Sequence, residues 1–312
     1  MKPHILLTIP IYATAVEQLD EAYTVHRLWE GKHRSSFFAE IRDKVRAIAT
    51  ASFPIPAELM DELPKLEIIA TQSVGLDHID LKAAKARGVK VTNTPDVLTD
   101  DVADLAIALA LAVARRLAVG DRHVRDGLWL KDNLPLAPAR FSGTRMGILG
   151  LGRIGVAIAK RAESFAMTVA YHGRRQQRGV AYRFYPSLVE MARNVDYLVV
   201  ACPGGAETRN LVNAEVLAAL GPKGVVINIA RGSVIDEPAM VKLLLDGRLG
   251  GAGLDVFVDE PKVPDSLFAL ENVVLQPHVG SATHTTRGAM GQLVVDNLKA
   301  HFAGKPLLTP VV

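Results

Sequence analysis

Three polar residues in the C-terminal half of the chain have the side chains that acid-assisted chemistry on a carbonyl group requires. Arg231, Glu260 and His278 each follow a buried-strand pattern, and α/β sheets place their ligands at such strand ends. An imidazolium titrates near neutral pH and can donate a proton, while a planar guanidinium matches a carboxylate or polarises a carbonyl. A carboxylate beside the ring fixes which nitrogen faces a substrate. Taken singly, each residue fits a structural role equally well: Arg231 as a surface ion pair, Glu260 as a loop charge and His278 as a structural histidine.

A glycine-rich motif precedes these residues and predicts a dinucleotide site. The segment from Met146 to Gly155 reads MGILGLGRIG, which places GxGxxG after a strand pattern and at the start of a helix. Gly150 permits a tight turn, Gly152 lets the backbone approach a pyrophosphate, and Gly155 lets helix and strand pack closely. The helix N-terminus adds N–H donors and partial positive charge. The alternative, a purely structural glycine-rich turn, is less consistent with this context.

The residues about 20 positions after the motif indicate which dinucleotide is bound. NAD-preferring domains carry an acid there, but this chain has Gly173, Arg174 and Arg175 after His172. Two guanidinium groups can pair with a 2′-phosphate through charge-assisted hydrogen bonds, whereas an acid would repel it. The sequence therefore predicts a preference for NADP(H), with NAD(H) as a second usable cofactor. In the alternative interpretation, these are solvated arginines of a basic loop that continues to Arg178.

The two patterns together predict the reduction of a 2-oxo acid. That reaction needs a cation for the carboxylate, an acid beside the ketone oxygen and a hydride donor. Arg231, His278 and a nicotinamide are the candidates for these three parts. Their joint occurrence after a dinucleotide motif favours catalysis over a structural role.

Strand and helix patterns alternate along the 312 residues and predict an α/β protein with two doubly wound parallel-sheet domains. Residues 1–94 with 285–312 are predicted to form a flavodoxin-like substrate domain, into which a Rossmann-type dinucleotide domain of residues 95–284 is inserted. One alanine-rich helix is expected from about 99 to 119. The predicted strands are 4–9, 45–50, 68–72, 89–93, 145–149, 167–171, 197–201, 224–229, 250–255 and 273–276.

Composition narrows the class of protein. Lys and Arg number 36 against 33 Asp and Glu, and the net charge of +3 is too even to indicate a nucleic-acid or anionic-membrane partner. The single cysteine, Cys202, forms no internal disulfide, and no paired Cys/His spacing suggests a metal site. The N-terminal residues lack a secretory pattern, and the most apolar stretch, 102–119, carries three charges. These features predict a cytoplasmic protein without a membrane span.

The motifs resemble those of the D-isomer-specific 2-hydroxyacid dehydrogenase family, and within it most closely the glyoxylate/hydroxypyruvate reductases. The resemblance covers essentially the whole chain. Its most specific segments are 150–155, NIARGSV at 228–234, GLDVFVDEP at 253–261 and HVGSATHTTR at 278–287. It implies that Arg231, Glu260 and His278 are the catalytic residues, with His278 as proton donor and with Arg231 and His278 also binding substrate.

The resemblance also implies binding residues outside these three. Backbone amides at Val74 and Gly75 are expected to hold the substrate carboxylate, and Asp255 is expected to orient the nicotinamide amide. Cys202 is expected to be a pocket wall rather than a nucleophile, because nothing nearby in the sequence activates it. The complete predicted set of cofactor-binding residues is Gly150, Gly152, Arg153, Ile154, Gly155, Gly173, Arg174, Arg175, Cys202, Pro203, Ile229, Asp255 and Gly280.

Family members are dimers of two-domain subunits, which implies a homodimer in which Trp129 reaches the neighbouring subunit. Asp104 replaces the Glu of many relatives, and the 51–56 loop, which should face the substrate side chain, is not diagnostic. The expected reaction is NADPH-dependent reduction of glyoxylate and hydroxypyruvate to glycolate and D-glycerate. Two alternatives stay open: a reductase of a longer 2-oxo acid such as phenylpyruvate, and a nucleotide-sensing binding protein that resembles transcriptional corepressors of the same fold.

Overall fold

The computed structural model describes residues 2–31, 33–138 and 140–312, which divide into two units. One unit holds the described residues up to Leu98 together with Ser281–Val312, and the other holds Thr99–Gly280. The strands are β1 (His4–Leu7), β2 (Thr24–Arg27), β3 (Val45–Thr50), β4 (Ile68–Thr71), β5 (Lys90–Thr92), β6 (Arg145–Leu149), β7 (Thr168–His172), β8 (Arg183–Phe184), β9 (Tyr197–Val200), β10 (Val225–Asn228), β11 (Gly251–Leu254) and β12 (Val273–Leu275). The helices are α1 (Ala13–Ala22), α2 (Arg34–Ile41), α3 (Ala57–Asp61), α4 (Leu81–Ala86), α5 (Thr99–Ala114), α6 (Leu117–Arg125), α7 (Arg153–Ser164), α8 (Leu188–Arg193), α9 (Ala214–Leu220), α10 (Glu237–Leu245) and α11 (His284–Phe302).

The first unit is a five-stranded parallel sheet in the order β2-β1-β3-β4-β5. This is the flavodoxin-like order of a doubly wound sheet. Successive side chains of a strand point to opposite faces, so each strand contributes to two cores. Leu6 and Ile48 pack on one face with residues of α2, α3 and α4, while Ile5 and Leu7 pack on the other with residues of α1 and α11.

The second unit is a seven-stranded parallel sheet in the order β12-β11-β10-β9-β6-β7-β8. Counted from β6, this is the 3-2-1-4-5-6 order of dinucleotide-binding sheets, extended by one strand. Helix α5 packs against β11, whose sequence GAGL has glycine at two of its four positions. A Cβ added at Gly253 would lie 3.0 Å from Cβ of Leu109, and one added at Gly251 would lie 2.8 Å from Cγ1 of Val113. The predicted fold class, with two doubly wound parallel sheets, is confirmed.

The structure corrects the prediction of one long helix through residue 119. Helix α5 ends at Ala114 and α6 begins at Leu117, because Arg116 adopts a left-handed conformation with φ 53° that a right-handed helix cannot include. The guanidinium of Arg116 pairs with Glu271.

Among the residues that the structure describes, none of the helices has both the length and the apolarity needed to cross a membrane.

The carboxyl ends of the parallel strands position the residues that the sequence singled out. In a doubly wound sheet these ends lie along one edge, where ligands bind. The second unit places the glycine motif after β6, the arginine loop after β7, Cys202 after β9, Arg231 after β10, Asp255 after β11 and His278 after β12. The first unit places Val74 and Gly75 after β4.

Candidate active site and dinucleotide site

The turn between β6 and α7 requires glycine at two positions. Gly150 has φ 95°, which favours glycine, and a Cβ added there would lie 2.7 Å from Cα of Cys202. A Cβ added at Gly155 would lie 2.2 Å from the carbonyl oxygen of Gly150. The turn is therefore tight and closely packed against the loop after β9, as a phosphate-binding turn requires.

The N-terminus of α7 fits the diphosphate of a dinucleotide. The N-cap, Gly152, contributes no capping side chain, and a Cβ added there would meet no described atom within 4 Å. The first amides of any α-helix lack an acceptor one turn earlier, and they carry partial positive charge. Open space beside these donors is what an anionic ligand needs, and Arg153 and Ile154 begin the helix at this point.

The loop that contains Arg174 and Arg175 is fixed to the glycine motif. Gln177 donates from Nε2 to the carbonyl oxygen of Leu151 at 2.8 Å, and its backbone N–H donates to the hydroxyl oxygen of Tyr171 at 2.8 Å. Arg174 and Arg175 are exposed, and a Cβ added at Gly173 would meet no described atom within 4 Å. Two guanidinium groups therefore lie in a loop whose position relative to the phosphate-binding turn is set by hydrogen bonds.

Cys202 and its neighbours line the same edge of the sheet. Cys202 is buried, and burial raises the pKa of its thiol to about 11. Such a thiol stays protonated at neutral pH, which suits the wall of a site rather than a nucleophile. The carbonyl oxygen of Pro203 accepts a hydrogen bond from the Thr208 hydroxyl at 2.7 Å, and Ile229 is buried directly after β10.

His278 and Glu260 form a hydrogen-bonded pair. Nδ1 of His278 lies 2.7 Å from Oε2 of Glu260, and the backbone N–H of Phe257 donates to Oε1 of the same carboxylate at 3.0 Å. Burial by itself would raise the pKa of Glu260, but the hydrogen bonds with His278 and Phe257 and the charges of His278 and Arg231 hold it below its ordinary value. Glu260 is therefore ionised at neutral pH, and it leaves Nε2 of the imidazole to face a substrate.

Asp255 holds the turn that carries His278. The His278 N–H donates to the carbonyl oxygen of Asp255 at 2.8 Å, and the Asp255 carboxylate accepts the N–H groups of Val279 at 2.7 Å and Gly280 at 2.9 Å. His278 has φ 55°, a conformation that costs a non-glycine residue roughly 1–3 kcal/mol. Burial raises the pKa of Asp255, although its two N–H donors counter part of the rise. These hydrogen bonds hold the histidine in a backbone conformation that it would otherwise rarely adopt.

Asn228 and Gly232 shape the loop that carries Arg231. Asn228 is 1% exposed, donates from Nδ2 to the carbonyl oxygen of Arg231 at 2.9 Å and accepts the Ala230 N–H at 3.1 Å. A Cβ added at Gly232 would lie 2.0 Å from the carbonyl carbon of Phe257. Any side chain at Gly232 would thus push apart the loops that follow β10 and β11.

In the first unit, the loop after β4 presents two consecutive amides. Ser73 donates from Oγ to the carbonyl oxygen of Gly75 at 2.7 Å, and Asn93 donates from Nδ2 to the carbonyl oxygen of Val74 at 3.1 Å. Within the part of the chain that the structure describes, the N–H groups of Val74 and Gly75 have no acceptor. The carbonyl oxygens of these two residues are held by Ser73 and Asn93. Two neighbouring N–H groups in such a loop can bind an anion such as a carboxylate.

The structure thus pairs Glu260 with His278 in the second unit, where the charge of Arg231 also lowers the pKa of Glu260. It adds supporting residues that the sequence did not identify. Asn228 and Gly232 lie within the NIARGSV segment, where an asparagine at a strand end was an available signal. No comparable sequence signal marks Ser73, Asn93 or Gln177, because polar residues are common in loops.

Known proteins resemble the chain over its whole length. Residues 107–280 match the model of the D-isomer specific 2-hydroxyacid dehydrogenase, NAD binding domain. Over 309 residues the chain is 53% identical to a hydroxyphenylpyruvate reductase of Plectranthus scutellarioides and 52% identical to a glyoxylate/hydroxypyruvate reductase A of Arabidopsis thaliana, with 99% of this chain and 98% of each relative covered. The crystal structure of an NADPH-dependent glyoxylate/hydroxypyruvate reductase from Sinorhizobium meliloti, in complex with NADP and malonate, is 47% identical, with a TM-score of 0.95 over 100% of this chain and 97% of that one.

The fold and the family match define a dinucleotide-dependent oxidoreductase. The chain belongs to the D-isomer specific 2-hydroxyacid dehydrogenase family, which confirms the family predicted from the sequence motifs.

Proposed function

We propose that this protein uses NADPH to reduce small 2-oxo acids, converting glyoxylate to glycolate and hydroxypyruvate to D-glycerate. The observation that carries the proposal is the 2.7 Å hydrogen bond between His278 and Glu260. The positive charge of Arg231 also lowers the pKa of the Glu260 carboxyl group. The relatives support it, since the Arabidopsis thaliana protein is a glyoxylate/hydroxypyruvate reductase and the Sinorhizobium meliloti enzyme is described as NADPH-dependent.

The proposed mechanism assigns one task to each side chain. When bound, NADPH supplies the hydride that reduces the carbonyl carbon. Arg231 pairs with the substrate carboxylate and polarises the adjacent carbonyl, while the N–H groups of Val74 and Gly75 hold the carboxylate. Protonated His278 donates from Nε2 to the carbonyl oxygen, which completes the hydroxyl group of the product. Glu260 balances the imidazolium charge and keeps the ring oriented.

The preference for NADP(H) rests on the loop after β7. Arg174 and Arg175 are exposed there, no acid lies at the end of the strand, and Gln177 fixes the loop to the glycine motif. NADH stays a usable second cofactor, because the turn at Gly150–Gly155 addresses the pyrophosphate that both cofactors share. We further assign cofactor contacts to Cys202, Pro203, Ile229, Asp255 and Gly280, although both carboxylate oxygens of Asp255 already accept backbone N–H groups.

A second candidate function is the reduction of a longer, aromatic 2-oxo acid. Its support is the 53% identity to a hydroxyphenylpyruvate reductase, which is as high as the similarity to the glyoxylate/hydroxypyruvate reductase. Both reactions use the same acid and cation, so the difference lies in the residues around the distal substrate group, for which residues 51–56 are the predicted candidates. The test is kcat/KM with NADPH for glyoxylate, hydroxypyruvate, phenylpyruvate and hydroxyphenylpyruvate. Preference for the first two supports the main proposal, and preference for the aromatic acids supports the second candidate.

We also propose a cytoplasmic homodimer without a nucleic-acid partner. Large apolar side chains are exposed along α6 and the residues that follow it: Leu117, Val124, Leu128, Trp129, Leu130 and Leu136. Leu130 is 94% exposed and Leu136 is 93% exposed. Monomers rarely leave so many apolar side chains exposed in one segment, and a second copy of the chain would bury them. The even charge balance supports the proposed absence of a nucleic-acid partner, and the single buried cysteine supports the cytoplasmic location.

A further inference from the structure

The loop after β9 contacts the side chain of Arg231 at Gly204. A Cβ added at Gly204 would lie 2.7 Å from Cγ of Arg231, 3.2 Å from its Cβ and 3.8 Å from its Cδ. Real Cβ atoms essentially never approach another heavy atom to within 3.0 Å. The aliphatic part of Arg231 therefore occupies the space that a side chain at position 204 would need.

The backbone at this position does not itself require glycine. Gly205, the next residue, has φ 147°, which L-residues rarely adopt, but Gly204 lies outside the positive-φ region. All three atoms nearest to the added Cβ belong to Arg231. The contact with Arg231 is thus the reason that a side chain does not fit at Gly204.

Arg231 cannot relieve such a contact by a small movement. The atoms involved are at the root of the side chain, so a change of χ1 would carry the guanidinium to a different place. The backbone of Arg231 is held as well, since its carbonyl oxygen accepts a hydrogen bond from Asn228 at 2.9 Å. Nη1 of the guanidinium donates to the carbonyl oxygen of Ala230 at 2.8 Å, and this orientation would be lost.

We propose that Gly204 is a positioning residue for Arg231. Its missing side chain lets the guanidinium take the orientation that the reduction uses, and this role rests on the function proposed above. The same loop also meets the glycine motif, where Cα of Cys202 lies 2.7 Å from a Cβ added at Gly150. The segment from Cys202 to Gly204 therefore joins the dinucleotide turn to the substrate-binding arginine.

The test begins with Gly204→Ala. Because small misplacements of a substrate-orienting group are costly, kcat/KM for glyoxylate and hydroxypyruvate should fall roughly 10–100-fold. The dissociation constant for NADPH should change little, since the proposed effect concerns Arg231. The matched control is Gly288→Ala, where an added Cβ lies at the ordinary contact distance of 3.6 Å from Tyr12, and its kcat/KM should equal that of the wild type.

A double-mutant cycle separates positioning from a general structural role. Arg231→Ala removes Cγ, so Gly204→Ala should change kcat/KM by less than about twofold in that background. An equal loss in both backgrounds would overturn the proposal, as would full activity of Gly204→Ala. The crystal structure of Gly204→Ala gives a readout that needs no turnover: Arg231 should adopt a different side-chain rotamer, and an unmoved Arg231 would contradict its proposed dependence on Gly204. Absence of 2-oxo acid reduction by the wild type would remove the proposed function, while this structural comparison would still decide the role of Gly204.

Discussion

Glu260 contacts the ring of His278 through one carboxylate oxygen and its own loop through the other. Oε2 lies 2.7 Å from Nδ1 of His278, and Oε1 accepts the Phe257 N–H at 3.0 Å. The carboxylate is thereby fixed to the backbone after β11 and orients an imidazole that follows β12. The direction in which the proposed acid faces thus depends on two loops rather than on a single side chain.

Loss of the proposed acid should impair chemistry more than cofactor binding. We expect His278→Gln to lower kcat by roughly 10²–10⁴-fold, because general acid catalysis contributes about this much. NADPH affinity, measured by fluorescence titration, should stay near the wild-type value. The control His33→Gln alters an exposed histidine of the first unit and should leave kcat unchanged. Wild-type kcat in His278→Gln would exclude the assigned role.

Glu260→Gln should change how stability depends on pH. Burial favours a raised pKa for Glu260, but the hydrogen bonds with His278 and Phe257 outweigh it and leave the pKa below the ordinary 4.5. A carboxyl group with a depressed folded-state pKa contributes stability that is present above the ordinary value and is lost as pH falls through the folded-state value. The Tm of the wild type should therefore fall more steeply below pH 4.5 than that of the variant. Parallel curves of Tm against pH for the two proteins would contradict this expectation.

Replacement of both arginines after β7 should affect one cofactor selectively. We expect Arg174→Ala combined with Arg175→Ala to raise the KM for NADPH roughly 10²–10⁴-fold, since hydrogen bonds to charged groups contribute about 1.5–3 kcal/mol each, or about 3–6 kcal/mol for the two arginines. The KM for NADH should change little, because NADH lacks the 2′-phosphate. Arg178→Ala, in the same exposed tract, is the matched control and should affect neither cofactor strongly. Equal losses for both cofactors would refute the assignment.

Introducing a charged residue into the exposed apolar segment formed by α6 and the residues that follow it should dissociate the proposed dimer into monomers. Leu130→Asp places a carboxylate at a side chain that is 94% exposed in the single chain, and burying it against a second copy would cost desolvation energy. Sedimentation velocity should give a dimer for the wild type and a monomer for Leu130→Asp. Leu245→Asp, on α10 and 56% exposed, is the control and should stay dimeric. A monomeric wild type, or a Leu130→Asp variant that stays dimeric, would contradict the proposal.

The two parallel-sheet domains could be predicted because buried parallel strands appear in the sequence as short apolar runs between segments with helical periodicity. Arg145–Leu149 was predicted as a strand and is β6. Strands β2 and β8 were missed, since their residues are exposed or half-buried and carry no apolar pattern. The break between α5 and α6 was also missed, because no glycine or proline marks Arg116, whose left-handed conformation ends the helix.

The residues of the candidate site could be proposed from the sequence, but the hydrogen bonds that support them could not. Arg231, Glu260 and His278 were indicated by their places after strand patterns together with the dinucleotide motif that precedes them. Asp255 was expected to face a nicotinamide amide, and the structure shows its carboxylate accepting the N–H groups of Val279 and Gly280, which lie 24 and 25 positions further along the chain. Such hydrogen bonds between loops leave no periodic trace in a single sequence, so only the structure reveals them.

The most direct test of the proposed function is the product formed from hydroxypyruvate and NADPH by the purified protein. NADPH consumption is followed by absorbance, and the glycerate is separated by chiral chromatography. We expect NADPH to be oxidised and D-glycerate to form in equal amount, at a higher kcat/KM than with NADH. No NADPH oxidation with hydroxypyruvate or glyoxylate, or formation of L-glycerate, would contradict it.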